Sequence, residues 1–318
     1  MTTSPAQTTA PTIAVVGSLN MDLVLQVAQA PGPGETVLAQ ALHLVPGGKG
    51  GNQAVACARQ GAQVHLFGRV GDDAYGHTLR AGLAQDGIDH TGVQTDTTET
   101  TGVAAITVEA TGQNRIVVVP GANGRFALDA RALGSVLGRA SSLVLQFETP
   151  LPEVLAAAQQ AFAAGCPVLL NPSPIQPLPE GLWPLVHTLV VNEVEAAALA
   201  GTAVESVADA AVAAQALRGL GPAQVVVTLG AQGAVAADTR GSTHHPGMQV
   251  QVVDTTAAGD TFLGALAVGL AQGEPLNAAV REGMRAAALC VTRSGAQPSI
   301  PHRAAVAASP QPPDWIPL

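Results

Sequence analysis

Short apolar runs punctuate the chain at Ile13 to Val16, Val64 to Phe67, Leu143 to Leu145, Val168 to Leu170, Leu189 to Val191 and Val225 to Val227. Runs of this kind, without polar alternation, predict strands buried on both faces of a sheet. Between them lie Ala-, Leu-, Arg- and Gln-rich helical patterns at about Asn52 to Gln60, Tyr75 to Asp86, Leu128 to Gly138, Leu151 to Ala164 and Asp209 to Leu217. Strand alternating with helix predicts an α/β fold, a parallel sheet with helices on both faces.

Two stretches break this rhythm. Leu23 to Val45 contains Pro-Gly-Pro-Gly-Glu-Thr, and Thr101 to Pro120 holds two apolar segments around Thr111-Gly112-Gln113-Asn114. Both are hairpin signals without a helix, so a small β-rich flap is expected to leave the α/β body twice, over about residues 23–45 and 101–120, as a lid. Residues 1–11 are expected to form a disordered tail before one α/β domain spanning 12–318. Near the other end, Asp254 to Gly273 and Leu276 to Val291 read as two long, closely packed helices rich in small residues.

The 318 residues are 47% hydrophobic and only 12% charged, which excludes a disordered polyelectrolyte. Lys and Arg number 14 against 23 Asp and Glu, for a net charge of −9. The positive residues are scattered, which argues against nucleic-acid binding. Any phosphorylated ligand must then be held by helix N-termini, backbone amides, a few basic side chains and metal ions. No apolar run approaches a membrane span, and the first residues lack a basic and apolar leader pattern. Cys57, Cys166 and Cys290 are an odd count without CxxC spacing. A cytoplasmic protein without a membrane partner is expected.

Four segments carry candidate chemistry. Pro46 to Gln53 is glycine-rich and leads into a helix, so a ligand is expected to approach bare backbone beside Lys49 and Asn52. It matches neither a Walker A loop nor GxGxxG, and a plain turn before a helix explains it equally well. Asp254 to Phe262 opens a helix with Ala257, Ala258 and Gly259, whose three free amides would form an anion hole. Asp260 beside that hole is placed to accept a proton from an alcohol attacking a phosphoryl group, or merely to complement the helix dipole. Asn192-Glu193-Val194-Glu195 follows a strand where open α/β sheets bind ligands, suiting a hydrated Mg²⁺ or ordinary helix capping. Thr228 to Gly233 ends another strand with two glycines that would let a nucleotide lie against the backbone, and alone would pass for a turn.

Taken in order, these segments, with Gly17 to Asp22, Gly47 to Ala54, Gly71-Asp72-Asp73, Gln146-Phe147-Glu148 and Gly295 to Ser299, closely resemble the ribokinase, or PfkB, family of sugar kinases. The resemblance runs from about Ile13 to about Ser299. It implies a Rossmann-like three-layer αβα fold with a small β-sheet lid and a homodimer joined through the lids. It implies ATP-dependent phosphorylation of the 5-hydroxyl of D-ribose, with Mg²⁺ required and K⁺ activating. Asn20, Asp22, Gly48, Lys49, Asn52 and Glu148 would surround the sugar, and Asp260 would be the base beside the amides of Ala257, Ala258 and Gly259. Asn192 and Glu195 would organise Mg²⁺ and phosphates through water. Thr228, Gly230, Gly233, Gly259 and Met284 would line the nucleotide site, and Asp254, Thr256, Cys290, Arg293, Gly295 and Ser299 would match the K⁺ loop.

The chain departs from this pattern in three places. Many relatives have GAGD where this chain has Ala257 to Asp260, and Gly51 replaces a more usual Ala, which is expected to loosen the turn. Ser309 to Leu318 has four prolines in ten residues and cannot form the helical ending expected of the family. A sister kinase acting on deoxyribose, fructose or a nucleoside is the nearest alternative. A silent sugar sensor would lack the base or the hole, and a nicotinamide dehydrogenase would need a dinucleotide fingerprint that Gly17 to Asn20 does not provide.

Overall fold

The computed structural model describes residues 10–109 and 113–318. Residues 1–9 of the expected tail and residues 110–112, which include part of the expected turn, lie outside the described residues. The first half of the chain runs β1 (Thr12–Val16), β2 (Asn20–Val27), β3 (Ala41–Gly47), α1 (Lys49–Arg59), β4 (Gln63–Gly71), α2 (Ala74–Gln85), β5 (Asp89–Asp96), β6 (Gly102–Glu109), β7 (Asn114–Val119), α3 (Ala130–Leu137), β8 (Ser142–Leu145) and α4 (Leu151–Ala163). The second runs β9 (Val168–Leu170), β10 (Val186–Asn192), α5 (Glu193–Ala200), α6 (Val207–Arg218), β11 (Gln224–Thr228), β12 (Ala234–Asp238), β13 (Gly241–His245), α7 (Ala258–Ala271), α8 (Leu276–Cys290), α9 (Arg303–Ala308) and β14 (Ile316–Pro317).

Ten strands form the main sheet in the order β14-β13-β12-β11-β10-β9-β8-β1-β4-β5. From β11 to β5 all pairings are parallel, and β12, β13 and β14 continue the sheet antiparallel. Period-two alternation splits the core. Ile13 and Val15 of β1 face a cluster with Ala54 to Cys57 of α1, Leu79 of α2, Phe262 of α7 and Met284 of α8. Ala14 and Val16 face the opposite cluster, with Leu133 of α3, Val154 of α4, Ala196 of α5 and Ala210 of α6. The result is the three-layer αβα body, and its central strands β1, β8 and β9 are almost wholly apolar because both faces are covered. No helix among the described residues is long and apolar enough to cross a membrane.

Several elements lie outside the apolar pattern. Strand β5 is mostly polar because it is the sheet's edge, where only Val93 and Asp96 are buried. Strand β12 is built largely of Ala, and β13 of Gly, Ser, Thr and His. Their partners supply the pairing that composition does not advertise. Helix α5 was likewise unmarked by periodicity.

The two flap segments unite in a second sheet of order β3-β2-β6-β7. Strand β2 pairs antiparallel with β3 and parallel with β6, setting Asn20 beside both Gly47 and Gly102. The second sheet therefore starts at the carboxyl edge of the parallel strands, where open α/β sheets place ligands.

Helix α7 lies against α1 and α8 at glycine contacts. A Cβ on Gly264 would collide with Ala56, and one on Gly283 would lie 2.9 Å from the Phe262 carbonyl oxygen. Gly82, on the open side of α2, has nothing within 4 Å of such a position. Gly264→Ala is therefore expected to destabilise the fold by about 1–3 kcal/mol through overpacking. Gly82→Ala is expected to stabilise it by about 0.5–1 kcal/mol through helix propensity. Denaturant unfolding of the two variants, with changes of opposite sign, checks the assignment.

Candidate active site

Asn20 and Asp22 stand at the start of β2 and are buried, at 4% and 7% exposure. Both need bare neighbours. A Cβ on Gly47 would collide with the Asp22 carboxylate, and one on Gly102 would collide with the Asn20 side-chain oxygen. Asn123 fixes the other end: its amide donates to Asn20 Oδ1 at 2.8 Å and to the Leu19 carbonyl at 3.0 Å, while its oxygen accepts from the Leu19 amide at 2.9 Å.

The glycine-rich segment does a different job from the one expected. Its bare faces are filled by protein: a Cβ on Gly50 would lie 2.5 Å from the Ser18 nitrogen, and one on Gly48 would lie 2.7 Å from the Asn20 nitrogen. Gly51 is also closely packed, 3.0 Å from Leu19 Cδ2 by the same measure. The glycines let α1 dock on the β1–β2 connection and bring Lys49 and Asn52 to the sheet's carboxyl edge. There Glu148 accepts hydrogen bonds from the Ser18 hydroxyl and from the Lys49 amide at 3.0 Å.

Asp260 lies in the first turn of α7 and is 8% exposed. Asn52 donates to its Oδ2 at 2.9 Å and Gln53 to its Oδ1 at 2.8 Å. Gln53 in turn accepts from Gln146 at 2.6 Å and donates toward Asn171 Oδ1 at 3.3 Å. Asn52 Oδ1 is buried and has no hydrogen-bond partner among the described residues. One end of the Asn52 amide thus holds the carboxylate, and the other is unpartnered.

Charge is concentrated here. Burial, then the Glu148 carboxylate, then Asp260, push the Asp22 carboxyl up to about 7. Burial would lower the Lys49 ammonium, but the Asp260, Glu148 and Glu195 carboxylates outweigh it and hold Lys49 above its ordinary value. The site is a set of acceptors with one fixed cation.

At the amino end of α7 the expected trio of free amides is reduced, because the Ala258 N–H lies 3.2 Å from the Thr255 carbonyl. A Cβ on Gly259 would meet nothing within 4 Å, so that residue faces open space. Ala257 is the one non-glycine among the described residues with positive φ, at 58°. This conformation costs an L-residue roughly 1–2 kcal/mol. The glycine of the GAGD pattern would adopt it without that cost.

The remaining expected residues fall into two groups. Asn192 and Glu195 form a capping box on α5: Glu195 N–H donates to Asn192 Oδ1 at 2.8 Å, and Glu195 Oε2 accepts from the Asn192 N–H at 3.0 Å. Thr228 donates to the Val191 carbonyl at 3.3 Å, and a Cβ on Gly230 would face open space. Gly233 does not offer bare backbone to a ligand, because a Cβ there would collide with the His245 carbonyl. Met284 is buried in the core against α7. In the other group, Asp254 accepts from Thr256 N–H at 2.9 Å and Thr256 hydroxyl at 2.6 Å on one oxygen, and from Gly295 N–H at 2.8 Å on the other. These hydrogen bonds to the charged form hold its carboxyl below the ordinary value against the opposing effect of burial. Cys290 and Ser299 meet at 3.0 Å between Sγ and Oγ, and Arg293 is exposed.

Asn123 and Asn171 were not singled out in the sequence, and Ser18, Gln53 and Gln146 were quoted within motifs without a role of their own. The structure supplies that role: Gln53 and Gln146 are fully buried polar residues that must find hydrogen-bond partners inside the protein.

The pfkB family carbohydrate kinase model matches residues 10–303 of this chain. The chain belongs to the pfkB family of carbohydrate kinases. It is 41% identical over 293 residues to the ribokinase of Haemophilus influenzae, covering 92% of this chain and 96% of that one. It is 35% identical to the deoxyribokinase of Salmonella typhimurium, covering 91% and 95%. Among solved structures, Arabidopsis thaliana ribokinase complexed with ribose and ATP superposes with a TM-score of 0.87 at 33% identity, covering 94% of this chain and 98% of that one.

Because the Asp22 carboxyl is raised in the folded protein, the fold binds more protons than the unfolded chain between about pH 4 and 7. Its contribution to stability is present below that window and is lost as pH rises through about 7. Asp22→Asn, which cannot ionise, is expected to gain stability relative to the parent as pH rises from 5 to 8. Denaturant midpoints at the two pH values measure this, and a pH-independent difference would contradict it.

Proposed function

We propose that this chain transfers the γ-phosphoryl group of ATP to the 5-hydroxyl of D-ribose. The observation that carries the reading is the Asp260 carboxylate, held by Asn52 and Gln53 at the amino end of α7 and flanked by Asn20, Asp22, Lys49 and Glu148. A sugar needs many hydrogen-bond partners and a phosphoryl acceptor needs one base, and this constellation supplies both. The identity to ribokinases supports ribose as the substrate. The deoxyribokinase, at lower identity, makes deoxyribose the comparison sugar.

Asp22, the Asn52 oxygen and Glu148 grip the sugar hydroxyls. Asp260 takes the proton of the 5-hydroxyl as its oxygen forms the bond to the γ-phosphorus, the bond from that phosphorus to the β,γ-bridging oxygen breaks, and ADP leaves. Ala257 and Gly259 N–H groups at the helix terminus face the developing phosphoryl charge. The nucleotide lies along Thr228 and Gly230, with Gly233 shaping the turn and Met284 on the adenine side.

Asn192 and Glu195 offer an oxygen-only donor set with one Glu195 oxygen beyond the capping box, which fits a hydrated divalent cation. Mg²⁺ held there would neutralise phosphate charge. The loop of Asp254, Thr256, Cys290, Arg293, Gly295 and Ser299 fits K⁺, since Asp254 staples residues 254–256 to Gly295 and leaves main-chain carbonyls as ligands. The small sheet acts as the lid, residues 23–45 and 101–120 closing over bound sugar, and its exposed apolar residues, among them Leu42, Leu44 and Val117, join two copies in a homodimer in the cytoplasm.

Asp260→Asn keeps the shape and loses the base. Single-turnover kinetics is expected to show the chemical step slowed by about 10²–10⁴-fold with sugar and ATP affinities little changed. A role confined to the helix dipole would leave turnover nearly normal and cost only about 0.3–1 kcal/mol of stability. Turnover is also expected to be higher in K⁺ than in a large organic cation at matched ionic strength, and equal rates would remove the cation loop from the mechanism.

A further inference from the structure

The proline-rich segment after α9 is fastened to the body by two arginines of α8. Arg285 donates to the carbonyls of Ala307 at 3.1 Å and Ser309 at 2.8 Å. Arg281 donates to the Pro312 carbonyl at 3.2 Å and pairs with Asp314 at 2.9 Å. Its guanidinium carbon also lies 5.4 Å from the centre of the Trp315 ring. Beyond Trp315, β14 pairs with Thr243 and His244 of β13, and Leu318 N–H donates to the Ser242 carbonyl at 2.9 Å. The segment is the last strand of the main sheet.

Trp315 covers His245, with ring centres 5.9 Å apart. His245 is 1% exposed, and its Nε2 lies 3.2 Å from Asn277 Oδ1. Burial pushes this imidazole down to about 4, so the contact is formed with a neutral ring at neutral pH. The backbone of His245 continues directly to the nucleotide side. A Cβ on Gly233 would collide with the His245 carbonyl, and one on Gly247 would collide with the Ala231 carbonyl. Residues 245–247 and 231–233 thus touch main chain to main chain, with no side chain between them to absorb a shift.

From this continuity we propose that Trp315 is a positioning residue for nucleotide binding: packed at a tilt against His245 and held by Arg281, it fixes the end of β13 and thereby the turn from Gly230 to Gly233. The proposal rests on the reading that this turn lines the ATP site. It predicts an effect on ATP that the sugar does not share, because Asn20, Asp22 and Asn52 lie on other elements.

The test has two parts. In the parent protein, hydrogen exchange of residues 228–233 with and without ADP reports whether the turn meets nucleotide. Trp315→Ala and Trp315→Phe are then compared for steady-state constants. The exposed position of Trp315 lets both variants fold, which unfolding midpoints verify. Trp315→Ala is expected to raise KM for ATP at least about fivefold, equivalent to roughly 1 kcal/mol at 1.4 kcal/mol per tenfold, with KM for ribose unchanged. Trp315→Phe, which keeps a ring for His245 and Arg281, is expected to restore KM for ATP. If ADP protects the turn but Trp315→Ala leaves KM for ATP unchanged, or raises both KM values alike, the positioning role is overturned. If ADP does not protect the turn, the nucleotide assignment has failed and the proposal falls with it.

Discussion

Three carboxylates and one ammonium share a water-poor space at the carboxyl edge of the sheet, and the rest of the site is arranged to make that tolerable. Asp260 is hydrogen-bonded on both oxygens, Glu148 accepts from Ser18 and Lys49, and Asp22 remains the least compensated, as its raised carboxyl shows. An unpaired buried charge is costly, and such a group is kept where a ligand completes its shell. The stability given up at Asp22 is the cost of keeping a carboxyl buried beside two others.

Close backbone contact is the means by which these groups are brought together. Helix α1 can present Asn52 and Gln53 to α7 only because Gly50 lies against residues 17–18 and Gly264 lies against Ala56. Side chains at these positions would push α1 and α7 apart, and Asp260 would lose both partners at once. Rigid helix-to-helix contact places the Asp260 carboxylate more accurately than a loop would.

The architecture was legible because burial on both faces writes itself as uninterrupted apolar runs. Asn192 and Glu195 were legible as a possible helix cap, and the structure shows that capping box. What stayed hidden had physical reasons. Strand β5 is an edge, β12 and β13 borrow their stability from neighbours, and the roles of Gln53, Gln146, Asn123 and Asn171 depend on contacts across 90 residues or more. Asn192-x-x-Glu195 illustrates the opposite difficulty, since one pattern serves as a helix cap and offers oxygen ligands, and spacing alone does not separate the two. Protein fills the Cβ positions of Gly48, Gly50 and Gly233, while those of Gly230 and Gly259 are open, and a sequence marks where a side chain is missing without saying which of the two holds.

The cysteines have a practical consequence. Cys57, Cys166 and Cys290 are free thiols enclosed in the body, and burial pushes Cys57 to about 12 and Cys166 to about 11. As neutral, enclosed thiols they react slowly with alkylating reagents. The wild-type chain is therefore a quiet background for thiol-directed labelling. A single cysteine introduced at an exposed polar position of the small sheet, at Gln26 for instance, would take up a fluorophore or spin label selectively. A second on the body would turn the separation between sheet and body into a spectroscopic distance, without removal of any native sulfur.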